Sequence, residues 1–187
     1  MLHLASRSPR RHELLRLLDV PFSVIDVDIP EVRGADETPA QYVSRVAREK
    51  GETALAQLPP DAWVLSADTE VVLDDEVFGK PADAAEAAAM LRKLSGRPHD
   101  VITTLWLSSH SARHTATNLT CVRFAELSEA RIAAYVASGE PFGKAGAYAI
   151  QGRASAFITH MSGSHTGVMG LPLYETAALL EAAGLRS

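Results

Sequence analysis

The sequence of 187 residues contains a single cysteine, Cys121. One thiol cannot close an internal disulfide, so a reducing cytoplasm is the compartment that fits. No apolar run reaches the length needed to span a bilayer, which argues against a membrane partner. The first residues, Met1-Leu2-His3-Leu4-Ala5-Ser6-Arg7, lack a basic region followed by an apolar stretch, and we expect no signal peptide. Internal repeats and low-complexity linkers are absent. The seven histidines are scattered and give no zinc-site spacing. Net positive charge is missing too. A formal charge of −5 argues against a nucleic-acid polymer as ligand.

What is present is an ordinary globular composition, 47% hydrophobic and 22% charged. The length suits one domain over residues 1–187, large enough to bury a core without staples. Strand and helix signals interleave. A strand ending near Ser6 leads into a helix opened by Ser8-Pro9, with serine at the N-cap and proline at the first helical position. Residues 22–29 alternate as a strand. Thr38-Pro39-Ala40-Gln41 is a capping box that starts a helix running to about residue 57. Residues 63–67 read as a buried strand, and 70–73 with 76–78 as a hairpin around Asp74-Asp75. Asp83 and Ser128 open helices that end near Leu94 and Ala137. Residues 99–108 and 115–124 read as long paired strands, 148–151 and 154–159 as short ones. A last helix follows Leu171-Pro172. The expected fold is α/β, a mixed sheet with helices on both faces.

Charge is concentrated at one end. Residues 1–18 hold four arginines, Arg7, Arg10, Arg11 and Arg16, against one acid, Glu13. In Ser6-Arg7-Ser8-Pro9-Arg10-Arg11 a strand turns into a helix N-terminus, where free N–H groups and the helix dipole favour an anion. Ser6 and Ser8 add hydroxyl donors, and Arg10 and Arg11 add guanidinium forks suited to phosphate. A capped surface helix with solvated arginines is the competing reading. A local cationic site on an acidic chain favours a small anionic ligand.

Asp68, in Ser66-Ala67-Asp68-Thr69, falls where an apolar strand ends, a place that often faces a ligand crevice. It could hold a divalent metal or take a proton from water, or simply form a turn. Glu70 stands where an aspartyl-nucleophile phosphatase would want a second Asp. Lys50 lies on the apolar stripe shared by Val43 and Val46, so it either snorkels or meets a buried anion. Lys80 sits between Gly79 and Pro81, and Lys144 in the loop Gly143-Lys144-Ala145-Gly146. Each lysine alone is more often a solvated one. Glu31 could join a metal site. Gln151, at a strand end before Gly152, could read a base edge or satisfy backbone groups.

Taken in order, these segments resemble the Maf family of nucleotide pyrophosphatases. The resemblance runs through Leu4-Ala5-Ser6-Arg7-Ser8-Pro9-Arg10-Arg11, Ala47-Arg48-Glu49-Lys50, Ala67-Asp68-Thr69, Gly79-Lys80-Pro81, Gly139-Glu140-Pro141, Lys144-Ala145-Gly146-Ala147-Tyr148, Ile150-Gln151-Gly152 and Gly170-Leu171-Pro172-Leu173. It implies hydrolysis of a nucleoside triphosphate to the monophosphate and pyrophosphate with Mg²⁺ or Mn²⁺. The implied fold is an elongated mixed α/β sheet with two lobes around a cleft, and the implied assembly a homodimer. The resemblance makes Asp68 the general base, assigns substrate binding to Ser6, Arg10, Lys50, Lys80 and Gln151, and puts Glu31 beside the metal. The pair Thr69 and Gln151 resembles the branch acting on dTTP, UTP and modified pyrimidines. Nucleotide-pool house-cleaning and a link to arrest of septum formation are implied with it. Arg153-Ala154 and Gly167-Val168 depart from the usual Leu-Gly and Asn-Val, and bear on base choice. A non-catalytic nucleotide-binding regulator and a pyrophosphatase for non-canonical purines are the competing functions.

Overall fold

The computed structural model describes residues 1–186. Seven strands form one sheet in the order β2-β1-β3-β5-β6-β7, with β4 pairing β3 beside that path. The strands are β1 (Leu2–Ala5), β2 (Phe22–Ile25), β3 (Trp63–Leu73), β4 (Glu76–Phe78), β5 (Pro98–Ser108), β6 (Arg113–Phe124) and β7 (Ile158–Ser162). The helices are α1 (Pro9–Arg16), α2 (Pro39–Leu55), α3 (Ala84–Leu94), α4 (Glu129–Ala137), α5 (His165–Val168) and α6 (Leu173–Ala182). β1 runs parallel to β2 and β3, and the remaining pairs are antiparallel. The sheet is mixed, as expected. Among the described residues no helix is long and apolar enough to cross a membrane.

The caps follow the sequence. Thr38 and Gln41 close the capping box reciprocally, while Asp83 and Ser128 accept from Glu86 N–H and Arg131 N–H. Three strand expectations need correction. The stretch 22–29 stops at Ile25 because its partner β1 ends opposite it, at Ala5. The two pieces expected at 63–67 and 70–73 are one strand, since β5 pairs β3 without a break from Val64 to Val72. Residues 148–151 lie in no strand, and of 154–159 only Ile158 and Thr159 do, at the start of β7, because a 3-10 helix takes 153–157. Their N–H groups are met by side chains earlier in the chain, Ala149 by the Tyr135 hydroxyl and Arg153 and Ala154 by the Glu140 carboxylate. That removes the need for a ladder. The short helix α5 was not foreseen. Ser164 caps it by accepting from Gly167 N–H.

Strand alternation divides β3 between two faces. Val64, Ser66, Asp68, Glu70 and Val72 point to the face that α2 covers, where Val43, Val46 and Ala54 are buried. On the other face Leu65 and Ala67 join a core with Leu14, Leu15, Leu179 and Leu180 from α1 and α6. Val71 and Leu73 join a different core with Leu91, Leu94, Ile132 and Phe124. Thr69 stands between the two, opposite Thr103 of β5. These are the two lobes. The flank of β3 away from β5 pairs β1 as far as Ser66 and β4 from Val71 onward. Residues 67–70 therefore have a strand partner on the β5 side alone. The sheet is notched there, and the cleft opens at the notch.

Candidate active site

The cleft has a volume of about 1060 Å³, at the upper end of the range for small-molecule sites. One wall is the turn into α1. Ser6 is buried, and its Oγ accepts from Ser8 N–H at 3.1 Å and from Arg11 Nη1 at 3.4 Å. Ser8 occupies the N-cap with no capping bond from its hydroxyl, contrary to expectation. The serine oxygen that serves this turn belongs to Ser6, which leaves the first turn of α1 without a side-chain cap. An anion can take that place.

The two arginines have different tasks. Arg11 is committed to the fold. It donates to Gly170 O at 2.7 Å and to Thr69 Oγ1 at 3.1 Å. Arg10 makes one long contact, Nε to Met169 O at 3.4 Å, and lines the cleft half-buried. Burial pushes both guanidinium pKa values down, most strongly opposed by Asp68 at Arg11 and by Glu13 at Arg10. Arg7 is exposed and pairs with Asp26.

The opposite wall is an ion-pair chain. Lys50, brought down by α2, places Nζ 2.6 Å from Glu31 Oε1 and 2.8 Å from Asp68 Oδ1. Lys80 lies 3.4 Å from Glu31 Oε2. Lys50 thus meets a buried anion, Asp68, one of the two fates its position on the apolar stripe allowed, and the more exposed Glu31 beside it. Burial alone would raise the Glu31 carboxyl, but hydrogen bonding and charge from Lys50, then Lys80, hold it below the usual carboxylate range. Asp68 is not at a strand end but within β3, at the notch, and is 5% exposed. Its Oδ2 is buried with no hydrogen-bond partner.

Glu70, which sequence reasoning treated only as a missing Asp, shares this wall. It is 7% exposed, and its Oε2 is likewise buried without a partner. Burial, then the charges of Asp68 and Glu31, push its carboxyl up to about 8. The two-residue spacing from Asp68 was the available signal. It was hidden by splitting the strand at Thr69.

Gln151 and Lys144 line the same cleft from the second lobe. Gln151 is exposed in a turn, not at a strand end. Glu140 pins that turn, accepting from Tyr135 Oη at 2.8 Å and from Arg153 N–H at 3.0 Å. A Cβ on Gly152 would overlap the Glu140 carboxylate, so any side chain there would displace the acid that pins the turn. Lys144 Nζ donates to Phe142 O at 3.1 Å. Burial lowers its pKa, and Arg10 adds to this. Thr69 points to the face opposite Asp68 and reaches the cleft only through the notch, tied to Arg11 and Thr103.

The family described as Maf-like protein matches residues 1–183. A protein of Xanthomonas axonopodis pv. citri (strain 306) named dTTP/UTP pyrophosphatase is 59% identical over 188 residues, covering 98% of this chain and 99% of that one. A Xylella fastidiosa (strain 9a5c) protein named nucleoside triphosphate pyrophosphatase is 57% identical over 184 residues, covering 96% and 97%. Among solved structures, the Ham1 protein of Staphylococcus aureus aligns over 97% of this chain and 98% of its own, with a TM-score of 0.55 at 14% identity. A HAM1 protein from Coxiella burnetii covers the same shares with a TM-score of 0.53 at 19% identity. These two establish a shared fold. With the family matched from residue 1 to 183 and such relatives aligned end to end, the chain belongs to the Maf family.

Proposed function

We propose that this chain hydrolyses nucleoside triphosphates to the monophosphate and pyrophosphate, with dTTP, UTP and modified pyrimidine triphosphates as substrates. The observation that carries the reading is the state of Asp68. One carboxylate oxygen is held by Lys50, the other is buried and unpartnered, and the residue lines a cleft whose far wall is the uncapped start of α1. The names of the Xanthomonas and Xylella relatives support the same reaction.

In this reading Arg10, Lys80 and Lys144, with Ser6, Ser8 and the first turn of α1, take the phosphate oxygens. Their positive charge lowers the repulsion that a triphosphate presents to an attacking nucleophile. Lys50 fixes the Asp68 carboxylate. Asp68 takes a proton from water as the water oxygen bonds to the α-phosphorus. The bond from that phosphorus to the α–β bridging oxygen breaks, and pyrophosphate leaves. Gln151, in the turn held by Glu140, meets the base. Thr69 and Arg11 shape the notch from behind.

The residues fit a divalent cation. Unpartnered, buried carboxylate oxygen is the donor that hard cations take, and Mg²⁺ is commonly held by one or two carboxylates plus substrate phosphates. Asp68 and Glu31 would hold Mg²⁺ or Mn²⁺, which when bound draws charge from the phosphate oxygens.

The test is pyrophosphate release from a triphosphate panel with Mn²⁺. dTTP and UTP should turn over fastest, and Asp68→Asn should lower the rate at least 100-fold. Faster turnover of purines would overturn the pyrimidine assignment. No turnover of any triphosphate would make the chain a nucleotide-binding regulator instead.

A further inference from the structure

Glu70 is the one carboxylate of the cleft wall that no cation accompanies. Lys50 is shared between Glu31 and Asp68, and Lys80 reaches Glu31. Among the described residues no lysine or arginine forms an ion pair with Glu70. Yet the side chain is more than nine-tenths buried, and Oε2 lacks any partner. Buried carboxylates are paired, protonated or bound to metal. Asp68 lies two residues earlier on the same strand, on the same face, and also presents a buried, unpartnered oxygen. Same-face neighbours on a strand are roughly 6.6 Å apart along it. Both residues fall in the notch, where β3 lacks a neighbour on one side and opens to the cleft.

We propose that Glu70 is a direct ligand of the divalent cation, and that Asp68 and Glu70 together form a two-carboxylate seat that binds the cation before the triphosphate arrives. The inference rests on the cation requirement of the proposed function and makes Glu70 the partner of Asp68 in the nucleotide-free seat, where the Glu31 oxygens are engaged by Lys50 and Lys80. No three His, Cys, Asp or Glu side chains among the described residues stand ready as a complete cage. A two-carboxylate seat agrees with that, because water and phosphate oxygens fill the other positions. Lys50 sets the division of labour. By occupying Oδ1 of Asp68 it leaves Oδ2 as the oxygen that can face an ion beside Glu70.

The experiment is Mn²⁺ binding to the nucleotide-free protein, followed by the loss of the free-Mn²⁺ electron paramagnetic resonance signal. Wild type, Glu70→Gln and Glu70→Asp are compared, with unfolding temperature measured in chelator as the check on folding. Wild type should bind about one Mn²⁺, and E70Q should weaken the Kd at least tenfold. E70D keeps the charge but draws the carboxylate back by one methylene, and should weaken binding as well. Unchanged affinity in E70Q would overturn the proposal. So would wild-type affinity in E70D, because the residue would then act by charge and not by ligation, and so would wild type that binds no Mn²⁺ without nucleotide. Turnover separates the two readings. Loss of Mn²⁺ affinity in E70Q with an inert wild type leaves the seat standing and sinks the hydrolase. Mn²⁺-dependent wild-type turnover with unaltered affinity in E70Q does the reverse.

Discussion

Thr69 and Thr103 face each other across β3 and β5 with their hydroxyl oxygens 2.8 Å apart. Proton accounting fixes the direction of this contact. Thr103 donates to Gly167 O at 2.8 Å and Arg11 donates to Thr69, so the Thr69 hydroxyl must donate to Thr103. The chain Arg11–Thr69–Thr103–Gly167 crosses the sheet at the seam between the two apolar cores. Thr103→Val keeps the shape and breaks the chain, leaving the Thr69 proton and Gly167 O unsatisfied. The expected loss of stability is about 1–3 kcal/mol, read by urea unfolding, with a raised KM as Arg11 loses its fixed position. An unchanged denaturation midpoint would show that the relay is not holding the seam.

Lys50 and Lys80 predict opposite outcomes for the same change of charge. The Lys50 side chain is 13% exposed and serves two carboxylates. Lys50→Met should destabilise the protein by about 3–5 kcal/mol, since it strands buried charge. It should also cut turnover about 100-fold by freeing Asp68. The Lys80 side chain is 61% exposed, with its contact at 3.4 Å. Lys80→Ala should shift stability by less than about 1 kcal/mol and act mainly on KM. Unfolding curves and steady-state kinetics on the two variants decide the matter.

Gly51 lies within α2, where alanine would ordinarily favour the helix by about 1 kcal/mol. Here a Cβ would sit 2.7 Å from the buried Ser66 Oγ, which donates to Ala47 O. Gly51→Ala must therefore turn the Ser66 hydroxyl off Ala47 O or lift α2 from β3, which would carry the neighbouring Lys50 away from Asp68. A net destabilisation of about 1–3 kcal/mol and lower turnover are expected. A gain in unfolding temperature would mean that the helix tolerates the extra carbon.

Acid sensitivity should come in part from His99. Burial pushes its pKa down from the ordinary 6.5 to about 4. Above pH 6.5 it is neutral in both folded and unfolded chains and costs nothing. As pH falls from 6.5 towards 4 the unfolded chain takes up a proton that the folded one refuses. Stability is lost over that window by about 3 kcal/mol. His99→Gln keeps a polar partner for the Tyr148 hydroxyl, 3.0 Å away, but does not titrate. Chemical unfolding at pH 7 and pH 5 should show a flatter dependence in the variant.

Much of this was legible in the sequence, where the signal is local. The caps at Thr38, Asp83 and Ser128 are set by side chains three residues from the groups they bind. The position of Lys50 on an apolar helix face left it to snorkel or to meet a buried anion, and it meets buried Asp68, with the exposed Glu31 on its other side. The failures are non-local. β2 is short because β1 is short. The turn carrying Gln151 replaces a strand because Glu140 and Tyr135, earlier in the chain, satisfy its N–H groups. Glu70 was missed because a polar triplet in an apolar run reads as a break. It is instead where β3 outlasts one neighbour and has not yet met the next.

The three long strands β3, β5 and β6 pass unbroken from one core to the other. Hinge closure draws on a few residues free to change backbone angles, and a continuous hydrogen-bonded ladder supplies none. The sheet then gives the cleft a continuous floor, while Arg10, Lys144 and Gln151 reach over it from a helix, a loop and a turn outside the ladder. Any adjustment to a ligand falls to those three side chains and not to the sheet beneath them.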